Sequence, residues 1–113
     1  MSGRRGEGLR RLEKEIAGEK AVALGRAGER LERALHEARD AADRLRTATG
    51  SEDRERFAQD YAAARARALE ARLALLIQRE ALGLRRHATV DQQFPEPPRI
   101  DELLKGDRIN STS

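Results

Sequence analysis

The stretch Thr47-Ala-Thr-Gly-Ser-Glu-Asp53 separates two long segments rich in Ala, Leu and Arg, and it decides the fold. Gly50 suits the left-handed position that ends a helix, and Ser51 suits the cap of the next helix. The two acidic residues that follow suit the first turn of that helix, where the helix dipole favours negative charge. A turn this short makes consecutive helices antiparallel neighbours. The sequence therefore predicts an antiparallel helical hairpin closed at residues 49–51.

Length and composition limit the class of protein. A chain of 113 residues has room for one domain. Hydrophobic and charged residues make up 38% each and aromatic residues only 3%. Together with the abundance of Ala, Leu, Arg and Glu, this composition is typical of long helices rather than of a β-sandwich or barrel. The chain contains no Cys, which excludes disulfides and thiolate chemistry.

Acidic and basic residues are interleaved along both helical segments, with a formal net charge of +3. A nucleic-acid-binding surface is typically a stripe of one sign, which this pattern does not form. The longest apolar run, Leu73 to Ile77, is far shorter than the roughly 20 residues that cross a bilayer. Because no signal-peptide pattern is visible either, we expect a cytoplasmic protein that does not enter a membrane.

The first segment predicts one helix over about residues 9–48, because apolar residues recur every three or four positions from Leu9 to Leu45. Residues 1–8 are Gly-rich and basic, and they are predicted to be disordered. Small residues form a strip beside the apolar stripe of this helix. The strip contains Gly18, Ala21, Gly25 and Gly28. Each Gly costs about 1 kcal/mol relative to Ala within a helix, so the strip indicates either a close helix–helix contact, which we favour, or a point where the helix bends.

The second helix, predicted over about residues 52–86, carries two apolar stripes on nearly opposite sides. The first contains Phe57, Tyr61, Ala64, Ala68, Ala71, Leu75 and Leu82. The second contains Ala62, Ala66, Leu69, Leu73, Leu76, Ile77 and Leu84. A helix in a bare hairpin buries only one stripe, so one of the two stripes packs on the first helix and the other needs a second protomer, the C-terminal tail, or both. We predict that the five Leu and Ile residues of the second stripe, with the small-residue strip, form a helix-packing interface.

Residues 89–113 differ from the hairpin in containing three Pro. Pro98 suits the first position of a short helix over about 98–105, and Gly106 suits the position just past its end. The apolar side chains of this tail are predicted to dock on the surface of the hairpin. They are Phe94, Ile100, Leu103 and Leu104.

Candidates for chemistry are few. Glu80 and His87 are seven residues apart and share a helix face, which suits a metal site only if a second copy supplies further ligands. Ser and Thr residues cluster in the termini and turns, outside any nucleophile or phosphate-loop context. We therefore predict no enzymatic activity, no cofactor and no metal.

Two parts of the chain resemble a known family. They are Leu12-Glu-Lys-Glu-Ile-Ala-Gly-Glu-Lys-Ala21 with Leu24-Gly-Arg-Ala-Gly-Glu-Arg-Leu-Glu32, and Gln78-Arg-Glu-Ala-Leu-Gly-Leu-Arg-Arg-His87. The chain is similar to a small bacterial family of uncharacterised all-helical proteins of about this length. The resemblance implies a bacterial, soluble helical protein, and it assigns no activity and no functional residues.

The fold class predicted is all-α: an antiparallel hairpin with a short C-terminal helix, pairing as a homodimer into a four-helix bundle. We predict a structural or protein-interaction module without chemistry of its own. One alternative is a nucleic-acid-associated protein that uses the Arg4-Arg5, Arg10-Arg11 and Arg85-Arg86 pairs at the open end of the hairpin. Another is that the tail tethers the chain to a larger assembly.

Overall fold

The computed structural model describes the backbone of residues 2–111 and the side chains of residues 6–105. These residues form four helices: α1 (Ser2–Thr47), α2 (Ser51–Ala81), α3 (Ala88–Gln93) and α4 (Ile100–Ser111). Helices α1 and α2 form a long antiparallel hairpin, and the described part of the chain contains no strand. The predicted all-α hairpin is confirmed.

The seam between α1 and α2 is packed mainly by Ala and Leu. Its buried residues are Ala27, Leu31, Leu35, Ala38, Ala41, Ala42 and Leu45 of α1 and Tyr61, Ala64, Ala68, Ala71 and Leu75 of α2. They recur at spacings of three and four, so each helix contributes one stripe. On α2 this is the first of the two predicted stripes. The seam accounts for that stripe and leaves the other without a partner in α1.

Helix α1 is much longer than α2. An ion pair between Glu37 and Arg67 (3.9 Å) places these two residues level with each other. From Arg67, α2 continues to its end at Ala81. The same number of residues, counted back along α1 from Glu37, reaches about residue 23, so α2 ends level with that residue. Burial agrees, because residues 7–23 are exposed and Ala27 is the first buried residue. We call residues 6–22 the arm, a helical extension of about 25 Å beyond the hairpin.

The closed end of the hairpin differs from the expected turn. Gly50 is not left-handed: its φ of −104° and ψ of 154° make it an extended N-cap of α2. Its carbonyl accepts a hydrogen bond from the N–H of Arg54 (2.9 Å), and Ser51 is the first helical residue instead of the cap. Gly is acceptable as an N-cap. Helix α2 therefore begins at the predicted turn, but Gly50 is the cap and Ser51 is the first residue of the helix.

Helix α2 ends at Ala81, about five residues earlier than expected. The cause is Gly83, whose φ of +84° places it in the left-handed region. The N–H of Gly83 donates a hydrogen bond to the carbonyl of Glu80 (2.9 Å), and the N–H of Leu84 donates one to the carbonyl of Arg79 (2.9 Å). This pair of bonds is a Schellman motif, which ends a helix and reverses the chain.

The outer helices also differ from expectation. Helix α1 begins at Ser2, whereas residues 1–8 were expected to be disordered; adding turns to an existing helix needs no new nucleus. Met1 lies outside the described residues. Helix α4 begins at Ile100 instead of Pro98 and continues through Gly106. Pro98 is held outside the helix by a contact with α2, described below.

Candidate interaction surfaces

The Pro-rich segment 94–98, which we call the strap, is tied to α2 through its backbone carbonyls. Arg72 Nε donates to the carbonyl of Phe94 (2.9 Å), and Arg65 Nε donates to that of Pro97 (3.0 Å). The Tyr61 hydroxyl donates to the carbonyl of Pro98. Extended Pro-rich backbone makes no hydrogen bonds within itself, so its carbonyls are available to these side chains. The strap therefore runs antiparallel to α2, back toward the closed end.

Arg72 is the most buried charged side chain among the described residues. Besides the Phe94 carbonyl, its guanidinium contacts the carboxylates of Asp91 and, at 3.6 Å, Glu96. A buried charge needs partners of this kind to offset its lost hydration. The sequence contained a signal for this role, because Arg72 and Arg65 lie on the same helix face as Tyr61. Neither Arg is among the site residues that the sequence predicts.

Apolar contacts hold the tail as well. Val90 and Leu103 are buried in the main core, and Phe94 and Ile100 are partly buried against it. Leu104 is 40% exposed, whereas Leu103 is 4% exposed. Three of the four residues expected to dock the tail thus contact the core within the same chain, and Leu104 does not.

A groove of about 330 Å³ lies between α1 and the strap. Its walls include Leu35, Tyr61 and Leu103, and at its rim Arg46 contacts Asp43 at 3.1 Å. The lining combines apolar side chains and prolines with the charged residues Arg39, Asp43, Arg46 and Glu96.

The second stripe of α2 remains uncovered. Leu73 is 58% exposed, Ile77 57% and Leu84 44%, while Leu69 and Leu76 are half-buried. The strap docks on the side of α2 that carries Arg65 and Arg72, and therefore does not cover these residues. We call Leu69, Leu73 and Ile77, with Leu84 just beyond the end of the helix, the outer face of α2; the remaining predicted residue, Leu76, packs partly against the core.

The arm carries a second exposed apolar surface. Leu9 is 57% exposed, Leu12 52% and Ile16 43%. These residues continue the apolar pattern of α1 past the point where α2 ends, and none of the side chains at residues 6–105 covers them. Isolated exposed Leu residues are common on proteins, but aligned ones indicate an interaction surface.

The small-residue strip makes no close contact with the described residues of other helices. A Cβ atom added at Gly18, Gly25 or Gly28 would meet no atom within 4 Å beyond the local helix backbone. Ala21 is exposed, and α1 continues through the strip without a break. The strip neither interrupts the helix nor packs against α2, so any close contact that it makes involves another chain.

Glu80 and His87 do come together, although not on one helix. The Schellman turn at Gly83 brings His87 Nε2 to within 3.0 Å of Glu80 Oε1. Across the part of the chain that the structure describes, no group of three or more His, Cys, Asp or Glu side chains is placed to hold a metal ion. The pair therefore closes the turn after α2.

The Arg pairs of the nucleic-acid alternative are partly visible. Arg10 and Arg11 are exposed on the arm, and Arg85 and Arg86 are exposed after α2. The side chains of Arg4 and Arg5 lie outside the described residues. Acidic residues alternate with the visible pairs along the arm, so the surface there has both signs.

The fold and these surfaces define the chain as an all-α helical hairpin with a docked C-terminal tail. Comparison with protein-family models, curated proteins and solved structures finds no match to the chain. The resemblance to a bacterial family of uncharacterised helical proteins therefore stays a prediction. None of the helices described here has a stretch both long enough and apolar enough to cross a bilayer.

Proposed function

We propose that the chain is a structural or protein-interaction module that acts as a homodimer without catalytic activity. The two hairpins supply four long helices to the dimer. The observation that carries this proposal is the pair of apolar surfaces, the arm and the outer face of α2, that the chain leaves exposed. A cytoplasmic location and a bacterial origin belong to the same proposal.

The size of the exposed surface supports association. Six large aliphatic residues per chain are about half-exposed on these two surfaces: Leu9, Leu12, Ile16, Leu73, Ile77 and Leu84. Completing the burial of one such side chain contributes roughly 1 kcal/mol. The twelve such side chains of a dimer contribute roughly 12 kcal/mol. Association costs about 4–15 kcal/mol in lost translational and rotational freedom, so the gain exceeds most values in that range.

The alternatives have less support. A nucleic-acid partner is favoured by Arg10, Arg11, Arg85 and Arg86, but the neighbouring carboxylates oppose it. A tail that tethers the chain to an assembly would need its apolar side chains free, and Leu103 is buried in this chain's own core. A partner of mixed charge with an apolar face, such as a second copy, fits the exposed surfaces better.

Sedimentation velocity on the full chain tests the proposal. We expect a dimer at tens of micromolar (about the range in which proteins of modest affinity associate). The variant Leu73→Lys/Ile77→Lys is expected to be a monomer of unchanged helicity, because it places two charges on the outer face. Leu104→Lys, at a residue that is also exposed, serves as the control and should remain dimeric. A wild-type chain that is monomeric yet folds cooperatively would overturn the proposal.

A further inference from the structure

We propose that the two copies exchange arms, so that each arm packs on the outer face of α2 in the partner. This inference rests on the proposed dimer and names the surfaces that meet in it. It commits to a second copy of this chain as the occupant of both exposed apolar surfaces.

The positions of the two surfaces make the exchange possible. The arm begins where α2 ends, near residue 23 of α1, and the outer face lies on the last turns of α2, with Ile77 four residues before its end. Both surfaces therefore occur at the open end of the hairpin. A second hairpin that approaches this end in the opposite direction brings its own arm alongside the outer face.

Symmetry selects this pairing from the alternatives. In a two-fold dimer, if one surface of the first copy contacts another surface of the second, the reverse contact forms as well. Pairing arm with arm would leave both outer faces in water, and pairing outer face with outer face would leave both arms in water. Reciprocal exchange is the pairing that covers both surfaces in a closed dimer.

The apolar residues of the two surfaces have matching spacing. Leu12 and Ile16 are four residues apart on the arm, and Leu73 and Ile77 are four residues apart on α2. The two-fold axis reverses the direction of α1, so the arm runs parallel to the partner's α2. In parallel helices this spacing brings Leu12 beside the partner's Leu73 and Ile16 beside the partner's Ile77.

The extent and charge of the contact fit a stable dimer. Reciprocal exchange uses both surfaces of each chain, so the contact forms twice in the dimer and is larger than either surface alone could supply. Residues 6–22 carry four acidic and four basic side chains. A net-neutral arm meets no long-range repulsion from a second copy.

The absence of Cys from the natural chain permits a direct test by single-cysteine cross-linking. Leu12→Cys and Leu73→Cys variants are mixed, with one of them isotope-labelled so that mass spectrometry identifies the pair, and then mildly oxidised. Arg11→Cys replaces Leu12→Cys in the matched control, since its side chain points to another side of the arm. Circular dichroism checks that each variant keeps its helicity, and sedimentation checks that each remains dimeric.

We expect the mixed Leu12→Cys and Leu73→Cys disulfide at a yield at least about tenfold above the Arg11→Cys control, because a disulfide forms only between Cα atoms within about 7 Å. Neither variant should cross-link with itself, because the axis separates each residue from its own copy by about 28 Å along the helix. A self-disulfide of either variant, or a dimer without the mixed disulfide, would overturn the exchange and leave the proposed dimer standing. A monomeric wild-type chain would overturn both.

Discussion

Arg72 Nε in the middle of α2 donates a 2.9 Å hydrogen bond to the carbonyl of Phe94, 22 residues further along the chain. This bond joins the hairpin to the strap at a point where Arg72 is almost fully buried. The guanidinium of Arg72 also contacts Asp91 in α3 and Glu96 in the strap, so it joins the end of α3 and the first part of the strap to α2. Arg72 contacts three residues of the tail, whereas Tyr61 and Arg65 each donate one hydrogen bond to it. The docking of the tail therefore depends mainly on Arg72.

Replacing that cation should destabilise the chain. We expect Arg72→Ala to lower the free energy of unfolding by roughly 2–3 kcal/mol, because it removes charge-assisted hydrogen bonds and leaves partly buried acceptors unpaired. Urea denaturation followed by circular dichroism measures the change. Arg67→Ala removes an exposed cation from the same helix and should cost less than about 1 kcal/mol. Equal losses in the two variants would contradict the assigned role of Arg72.

Tyr61 should make the stability depend on alkaline pH. Burial raises the pKa of its hydroxyl above the ordinary value of 10.0, although Arg65 and Arg46 oppose the shift and Glu102 adds to it. Above pH 10 the unfolded chain loses this proton first, so the free energy of unfolding falls as the pH rises. Below that pH the group contributes its full stabilisation.

Tyrosinate absorbance reports this residue alone, because the chain contains one Tyr. The midpoint of the folded protein should lie above that of the urea-unfolded chain. The variant Tyr61→Phe should lack this component of the alkaline decline in stability, and it should also lose the hydrogen bond to Pro98, at a cost of about 1 kcal/mol. An ordinary midpoint in the folded protein would disprove the assignment.

The neighbouring residues Leu103 and Leu104 offer a matched pair within α4. Leu103 packs in the core formed with α1 and α2, and Leu104 is 40% exposed. We expect Leu103→Ala to cost about 2–4 kcal/mol, since it opens a cavity, and Leu104→Ala to cost less than about 1 kcal/mol. Thermal unfolding of both variants measures the difference. Similar melting temperatures would indicate that the tail is not docked in solution.

The strip of small residues can be tested by adding methyl groups. A Cβ at Gly25 or Gly28 meets no atom within 4 Å, so the variant Gly25→Ala/Gly28→Ala should stabilise α1 by about 1 kcal/mol per site. We expect sedimentation to show an unchanged dimer. Conversion to a monomer with increased helicity would show instead that the strip lies in the seam between two chains.

Local patterns of the sequence predicted the helices well. The spacing of apolar residues predicts the buried side of α1 and two candidate sides of α2, so the hairpin follows from it. The choice of the first stripe of α2 for the seam does not follow from spacing. The two turns were less predictable. Gly50 and Gly83 both suit the left-handed residue that ends a helix, but only Gly83 of the two adopts that conformation. There, two backbone hydrogen bonds end α2 and turn the chain toward the tail.

By itself, the sequence determined the all-α class, the antiparallel direction of the hairpin and the presence of two apolar stripes on α2, because these depend on residues at most four positions apart. Only the tertiary structure decided where the tail lies and what remains uncovered. The bonds from Tyr61, Arg65 and Arg72 to the strap join residues separated by 22–37 positions. Since no local periodicity encodes contacts of that separation, only the folded chain shows which stripe of α2 meets α1, that the tail leaves the other stripe exposed, and that the arm extends past the end of α2.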